Sequence, residues 1–271
     1  MLMLMVESAD DTGIGKIELI LDKIIIPSPR VSFCRRRLLD ALWQSFNSCS
    51  STVISGRAGM GKTTLALHFA ELCRRDVAWY KVDAPETDLR IFLQYLIASI
   101  AAQRPAFGRG PLRSLLDTVR WDSPSNSELT LLAEAFVHEL DCKLEPPLLI
   151  VIEDLHLVFD AEWLVPFFKR VLPLLPADVH MLITSRTMPP APLWRMRSKQ
   201  TLSVIDDDML SFTRNEAVEL FASYNLTHEQ AAIAFDHSRG RPAALASLAA
   251  TLHYNEMSDK GTAFTDVVRV T

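Results

Sequence analysis

Along the chain, short unbroken apolar runs alternate with longer stretches in which apolar residues recur every three or four positions. The runs are STVIS at 51–55, VAWYKVD at 77–83, PLLIVIED at 147–154 and VHMLITS at 179–185. Each has the length of a strand. The third is so continuously apolar that it predicts a strand covered on both faces. The stretch after the first run, TTLALHFAELCRR, sets Leu65, Leu67, His68 and Leu72 at helical spacing and contains no Gly or Pro. Leu89, Phe92, Leu93, Leu96, Ile97 and Ile100 share one helical face, as do Leu129, Leu132, Ala133, Phe136, Val137 and Leu140. A further helix is expected from about Glu162 to Leu175. Strands alternating with helices predict an α/β fold, a parallel sheet wrapped by helices.

From Asp206 the pattern changes. Ala-rich helical segments follow with no strand among them, opened by Thr213 and Glu216 at capping-box spacing. Proline and glycine mark three linkers, at 27–30, 104–114 and 187–199, and the three prolines of the last rule out regular structure there. The expected division is an N-terminal extension (1–30), a main α/β domain (31–205) and a small helical appendage (206–271).

One polar element sits between the first strand and the helix that follows it. Gly56, Gly61, Lys62 and Thr63 fit G-x-x-x-x-G-K-[ST] in a strand–loop–helix context, which is what makes the pattern specific for a P-loop. Gly56, Gly59 and Gly61 allow the backbone angles that turn successive amides inward around an anion. The helix N-terminus adds unpaired donors and partial positive charge. Lys62 is expected to reach the β- and γ-phosphates, and the Thr63 hydroxyl to hold Mg²⁺. The loop residues Gly56, Arg57, Ala58, Gly59, Met60, Gly61, Lys62, Thr63 and Thr64 therefore form the candidate ATP/ADP-binding set.

A P-loop needs a carboxylate at the end of a neighbouring strand. Glu153 and Asp154 end the third apolar run. Being adjacent on a strand they point different ways, so one can serve the metal while the other polarises a water. The last run ends in Thr184, Ser185 and Arg186, a polar cluster whose guanidinium suits a phosphate. His156 follows the acids by two residues, and His68 and His138 lie within helical patterns that suggest core or partly buried positions. Arg35, Arg36 and Arg37 read as a solvated helix start.

Composition narrows the classes. The 271 residues are 49% hydrophobic and 23% charged, a globular mixture. A net charge of −5 argues against electrostatic DNA binding by this chain alone. Four dispersed cysteines show no C-x-x-C and read as core thiols or bystanders in a reducing compartment. The start, MLMLMV, is too short and too acidic in its sequel for a signal or a span, so the expected location is cytoplasmic and away from membrane. There is no [NT]-K-x-D of a guanine reader and no L-S-G-G-Q of an ABC ATPase.

Taken in order, the motifs resemble the nucleotide-binding region of the STAND class (signal-transduction ATPases with numerous domains), and within it the large ATP-binding LuxR-type transcriptional regulators. The resemblance runs from about Ile24 to Leu252. It is carried by the leading IIIPSPRVSFCRRRLLDAL, the Walker A GRAGMGKTT, VAWYKVDAPETDLRIFLQYLIASI, the Walker B LLIVIEDLHLV, VHMLITSRTMPPAPLWRMRSK, MLSFTRNEAVELF and SRGRPAALASLA. It implies an AAA-like P-loop NTPase followed by an all-helical lid. Glu153 would then be the metal-side acid, Asp154 the catalytic-side acid and Arg186 the sensor. Arg35 would lie near the nucleotide, and Pro242 would touch the adenine side of ADP. Two positions depart from the pattern. Glu153 stands where the family usually has Asp, which weakens metal geometry or hydrolysis, and Arg241 stands where it has a large aromatic. The implied function is an ATP/ADP switch with slow Mg²⁺-dependent hydrolysis and ATP-dependent self-association. Relatives reach DNA through a C-terminal domain absent from this chain, which reads as a fragment or a free-standing module. The alternatives are a turnover ATPase or P-loop transferase, and a module that has lost nucleotide use.

Overall fold

Five apolar runs pair into one sheet. The computed structural model describes residues 19–28, 33–83, 87–141 and 145–257; the MLMLMV opening, Arg30, Cys142 and residues 258–271 lie outside the described residues. A 3₁₀ turn at Leu21–Lys23 leads to α1 (Arg36–Ser48), β1 (Ser51–Ser55), α2 (Lys62–Leu72), β2 (Asp76–Lys81), α3 (Leu89–Ala101), α4 (Pro111–Thr118), α5 (Asn126–Leu140) and β3 (Leu148–Glu153). A 3₁₀ turn at Leu155–Val158 leads on to α6 (Leu164–Leu174), β4 (Val179–Ser185), α7 (Ala191–Trp194), a further 3₁₀ turn at Arg195–Lys199, and β5 (Leu202–Ile205). Four helices follow: α8 (Asp207–Leu210), α9 (Arg214–Ser223), α10 (His228–Ser238) and α11 (Pro242–Met257).

The strand order is β2-β3-β4-β1-β5 and every pairing is parallel. The two-residue side-chain period splits the sheet into two buried faces. Ile54, Val77, Trp79, Leu149, Val151 and Leu182 pack with α1 and α2. Val53, Ala78, Tyr80, Ile150, Ile152 and Ile183 pack with α3, α5 and α6 on the other side. All six residues of β3 are buried, which explains its continuous apolar pattern. A third cluster, including Leu220, Phe221, Ala234, Leu245 and Leu248, is centred on α9, α10 and α11, with Phe212, Leu226 and Phe33 packed into it.

Three readings need correction. The stretch 187–199 holds α7 and a 3₁₀ turn, because Pro190 caps α7 and Pro192 falls in its first turn, where the missing amide would bond nothing. Likewise α4 begins inside the supposed linker 104–114, with Pro111 at its start and Glu139 accepting from the Gly108 and Leu112 amides. His138 is exposed rather than core. The edge strand β5 is an addition; four residues give too little pattern to announce it. No helix among the described residues is long and apolar enough to cross a membrane.

At the end of the sheet away from the P-loop, His180 is buried between elements. Its Nε2 lies 2.9 Å from Thr52 Oγ1, and Thr52 in turn lies 2.5 Å from Ser45 Oγ. Burial, helped by Arg75, pushes the imidazole pKa down to about 4 against a weaker raising effect of the Cys49 backbone. The folded protein therefore keeps His180 neutral where the unfolded chain protonates it, so stability falls as the pH drops from about 6.5 towards 4. Between pH 7 and 5 the loss from this one group is about 2 kcal/mol. Urea unfolding at the two pH values measures it, and His180→Gln is expected to shrink the difference by that amount.

Candidate functional site

The P-loop spans the turn from β1 into α2. Gly59 and Gly61 have φ of +81° and +78°, the left-handed region that favours glycine. Gly56 is held for a different reason: a Cβ there would fall 2.7 Å from Leu210 Cδ1 and from Asp207 Oδ1. The amides of Gly59, Gly61, Lys62 and Thr63 have no acceptor among the described residues, and they open towards the N-terminus of α2. The Lys62 ammonium donates to the carbonyls of Gly56 at 2.6 Å and Arg57 at 3.0 Å. Burial lowers its pKa, Asp154 opposes that, and Arg186 adds to it. Met60 is buried in the core beneath the loop, while Arg57, Ala58 and Gly59 are exposed.

The acids end β3 one strand away from the loop. β4 lies between β3 and β1, so Arg186, the residue after β4, sits between the acids and the loop. Glu153 faces α2, and its Oε1 accepts a hydrogen bond from the Thr63 hydroxyl. Asp154 leaves the strand at φ +58°, a left-handed conformation that Asp tolerates better than most residues. Its amide donates to Thr184 Oγ1 at 3.0 Å, which pins the turn. His156 Nδ1 lies 3.7 Å from Asp154 Oδ1 and is otherwise buried without a partner. Burial lowers the His156 pKa, Asp154 opposes this, and Arg186 and Lys62 reinforce it. Lys62, Asp154, His156 and Arg186 thus share one electrostatic neighbourhood.

The helices after β5 close over the same loop. The Ala243 amide donates to the Gly59 carbonyl at 3.0 Å, and Pro242 Cβ lies 4.0 Å from where a Gly61 Cβ would be. Asp207 accepts from Arg57 twice, from the amide at 2.9 Å and from Nε at 2.7 Å. Arg35 is buried rather than solvated. It donates to the carbonyls of Leu210 (2.5 Å) and Ser211 (2.9 Å) and to Glu216 Oε2 (3.2 Å), and its guanidinium covers the Phe212 ring. Arg37 reaches the same Glu216 oxygen. Burial alone would raise the Glu216 pKa; the Thr213 amide, Arg35 and Arg37 more than offset it, and the carboxyl lies below its ordinary value. Arg241 is exposed.

These residues fit a magnesium–nucleotide pair. The unpartnered amides at a helix N-terminus offer a phosphate cradle. Among the described residues no three His, Cys, Asp or Glu side chains converge on a metal position. A divalent ion there would take Thr63 and Glu153, with nucleotide and water oxygens completing its shell, as Mg²⁺ prefers. Asp154, at the strand end, keeps 23% of its side-chain surface exposed. Sequence reasoning missed Asp207, the Trp79 indole beside Glu153 and the ionic use of Glu216. Only Glu216 had announced itself, as a cap, and α9 does carry that capping box.

Residues 32–183 match the AAA ATPase domain family. The chain is 30% identical over 189 residues, 69% of its length, to the HTH-type transcriptional regulator MalT of Serratia proteamaculans, and spans 20% of that relative. Its fold resembles that of a signal-transduction ATPase with numerous domains and a tetratricopeptide-repeat sensor from Pyrococcus horikoshii, with a TM-score of 0.50 and 20% identity over 80% of this chain and 30% of that one. A Walker-type ATPase of Pyrococcus abyssi aligns at a TM-score of 0.48 and 15% identity, covering 88% of this chain and 71% of that one.

The buried Arg35–Glu216 pair gives a direct test of how the helical segment is held. Glu216→Ala strands a buried guanidinium without its counter-charge and is expected to cost about 3 kcal/mol in urea unfolding. A loss under about 1 kcal/mol would mean that the Leu210 and Ser211 carbonyls suffice.

Proposed function

The chain belongs to the AAA ATPase domain family, and on that premise we propose that it is the nucleotide-binding switch of a signal-transduction ATPase. In this reading ATP or ADP sits on the P-loop with Mg²⁺ held by Thr63 and Glu153. Lys62 and Arg186 neutralise phosphate charge, and Asp154 polarises the attacking water. Hydrolysis is slow and resets the state. The helices from Asp206 onward act as a lid that ADP keeps closed and ATP releases, which frees the molecule for self-association. Arg35 and Pro242 belong to the rim between core and lid. The module works in the cytoplasm as part of a longer transcriptional regulator, and DNA is read by another part of that protein.

What carries this reading is the contact between lid and phosphate loop. The Ala243 amide bonds the Gly59 carbonyl, so the lid touches the segment whose shape a phosphate would set. The likeness to MalT supports the regulatory context.

The nucleotide carried by the purified protein tests the switch. After denaturation, anion-exchange chromatography is expected to recover ADP in near-equal ratio to protein, and none from Lys62→Ala. An empty wild-type site combined with turnover above about 1 s⁻¹ would instead identify an ordinary turnover enzyme.

A further inference from the structure

Glu153 is nearly buried, at 5% exposure, yet each of its carboxylate oxygens meets a donor. Oε1 accepts from the Thr63 hydroxyl, and Oε2 lies 3.4 Å from the indole Nε1 of Trp79. Trp79 is itself 1% exposed and sits on β2, the edge strand next to β3. The pairing of Trp79 with Val151 and of Lys81 with Glu153 puts Trp79, Val151 and Glu153 on the face beneath α2. The Val82 amide donates to the Glu153 carbonyl at 2.9 Å, locking the two strand ends together just past the site. An indole N–H is a donor only, and a buried one needs an acceptor. Here that acceptor is the carboxylate. An aspartate at 153 would withdraw the carboxylate by one methylene, about 1.5 Å, from both donors.

We propose that Trp79 is a positioning residue that fixes the Glu153 carboxylate against Thr63, so that this site is built for glutamate rather than a shorter acid as its cation-holding group. The proposal rests on the nucleotide reading above. Its chemistry is that of an oriented ligand. The indole holds one oxygen, so the other stays aimed at Thr63, where a divalent ion bound with nucleotide would be shared. Groups that orient a ligating carboxylate in this way typically contribute a factor of about 10–100 in metal affinity.

The test uses Mn²⁺ as the probe, with ADP present, and counts free Mn²⁺ by electron paramagnetic resonance. ADP binding is measured separately in EDTA. Trp79→Phe keeps an aromatic ring and removes the N–H. It is expected to weaken Mn²⁺ binding about tenfold while leaving ADP binding in EDTA unchanged, a split that a merely structural role would not give. Glu153→Asp is expected to weaken Mn²⁺ binding similarly, and adding Trp79→Phe to it should then cost little more. Wild-type Mn²⁺ affinity in Trp79→Phe, or affinity in Glu153→Asp equal to or above wild type, overturns the proposal. If Trp79→Phe does not fold, Glu153→Asp decides alone by the same criterion. Absence of ADP binding to the wild-type protein, with and without metal, sinks the nucleotide reading itself and takes this proposal with it.

Discussion

Parallel pairing of β3, β4 and β1 is the constraint from which the site follows. Parallel strands end on the same side of a sheet, and this register makes them end almost level: Ser55 opposite Ser185, and Ile152 opposite Ile183. The ladder even continues one residue past β1, where the Gly56 amide donates to the Ser185 carbonyl. The P-loop, the acids and Arg186 are therefore delivered to one edge by the strand ladder beneath them. A one-residue slip of β3 would turn Glu153 away from α2 and bring Asp154 under Thr63 in its place.

That dependence explains what could be read from the chain and what could not. The P-loop was legible because its demands are local: two left-handed glycines, a close approach at Gly56 and a helix start. The acids were legible because they end an apolar run and, as neighbours on a strand, must point different ways; that Glu153 is the one facing Thr63 is seen in the fold. The layered α/β class followed from the alternation of periods. The partners of Arg35 are another matter, since Leu210 lies 175 residues further on and Glu216 lies 181. Asp207 is 150 residues from Arg57, and Trp79 is 74 from Glu153. Each of these pairs is a product of the fold, and no spacing rule reaches that far. The mistaken linkers have the opposite cause. Proline was read as a breaker, although in a first turn it starts helices.

The polar groups around the loop are placed with little slack. Lys62 is occupied by carbonyls of the loop itself, Glu153 by Thr63 and Trp79, and Asp154 by the Thr184 hydroxyl on its amide. The amides of the loop and the Nδ1 of His156 are among the groups left without a hydrogen-bond partner. Strain at Asp154 belongs with this economy. A left-handed backbone at a non-glycine residue persists only where its surroundings hold it, and such residues gather where a side chain must be aimed.

Two of the ionic attachments of the helical segment differ sharply in their access to water. Arg57 and Asp207 keep 71% and 32% of their side-chain surface exposed, whereas Arg35 and Glu216 keep 10% each. Dissolved ions screen exposed charges over a Debye length of about 8 Å at physiological ionic strength and scarcely reach a buried pair. Rising salt therefore weakens the Arg57–Asp207 pair, leaving the Ala243–Gly59 backbone bond to hold the P-loop, while the Arg35–Glu216 pair stays firm.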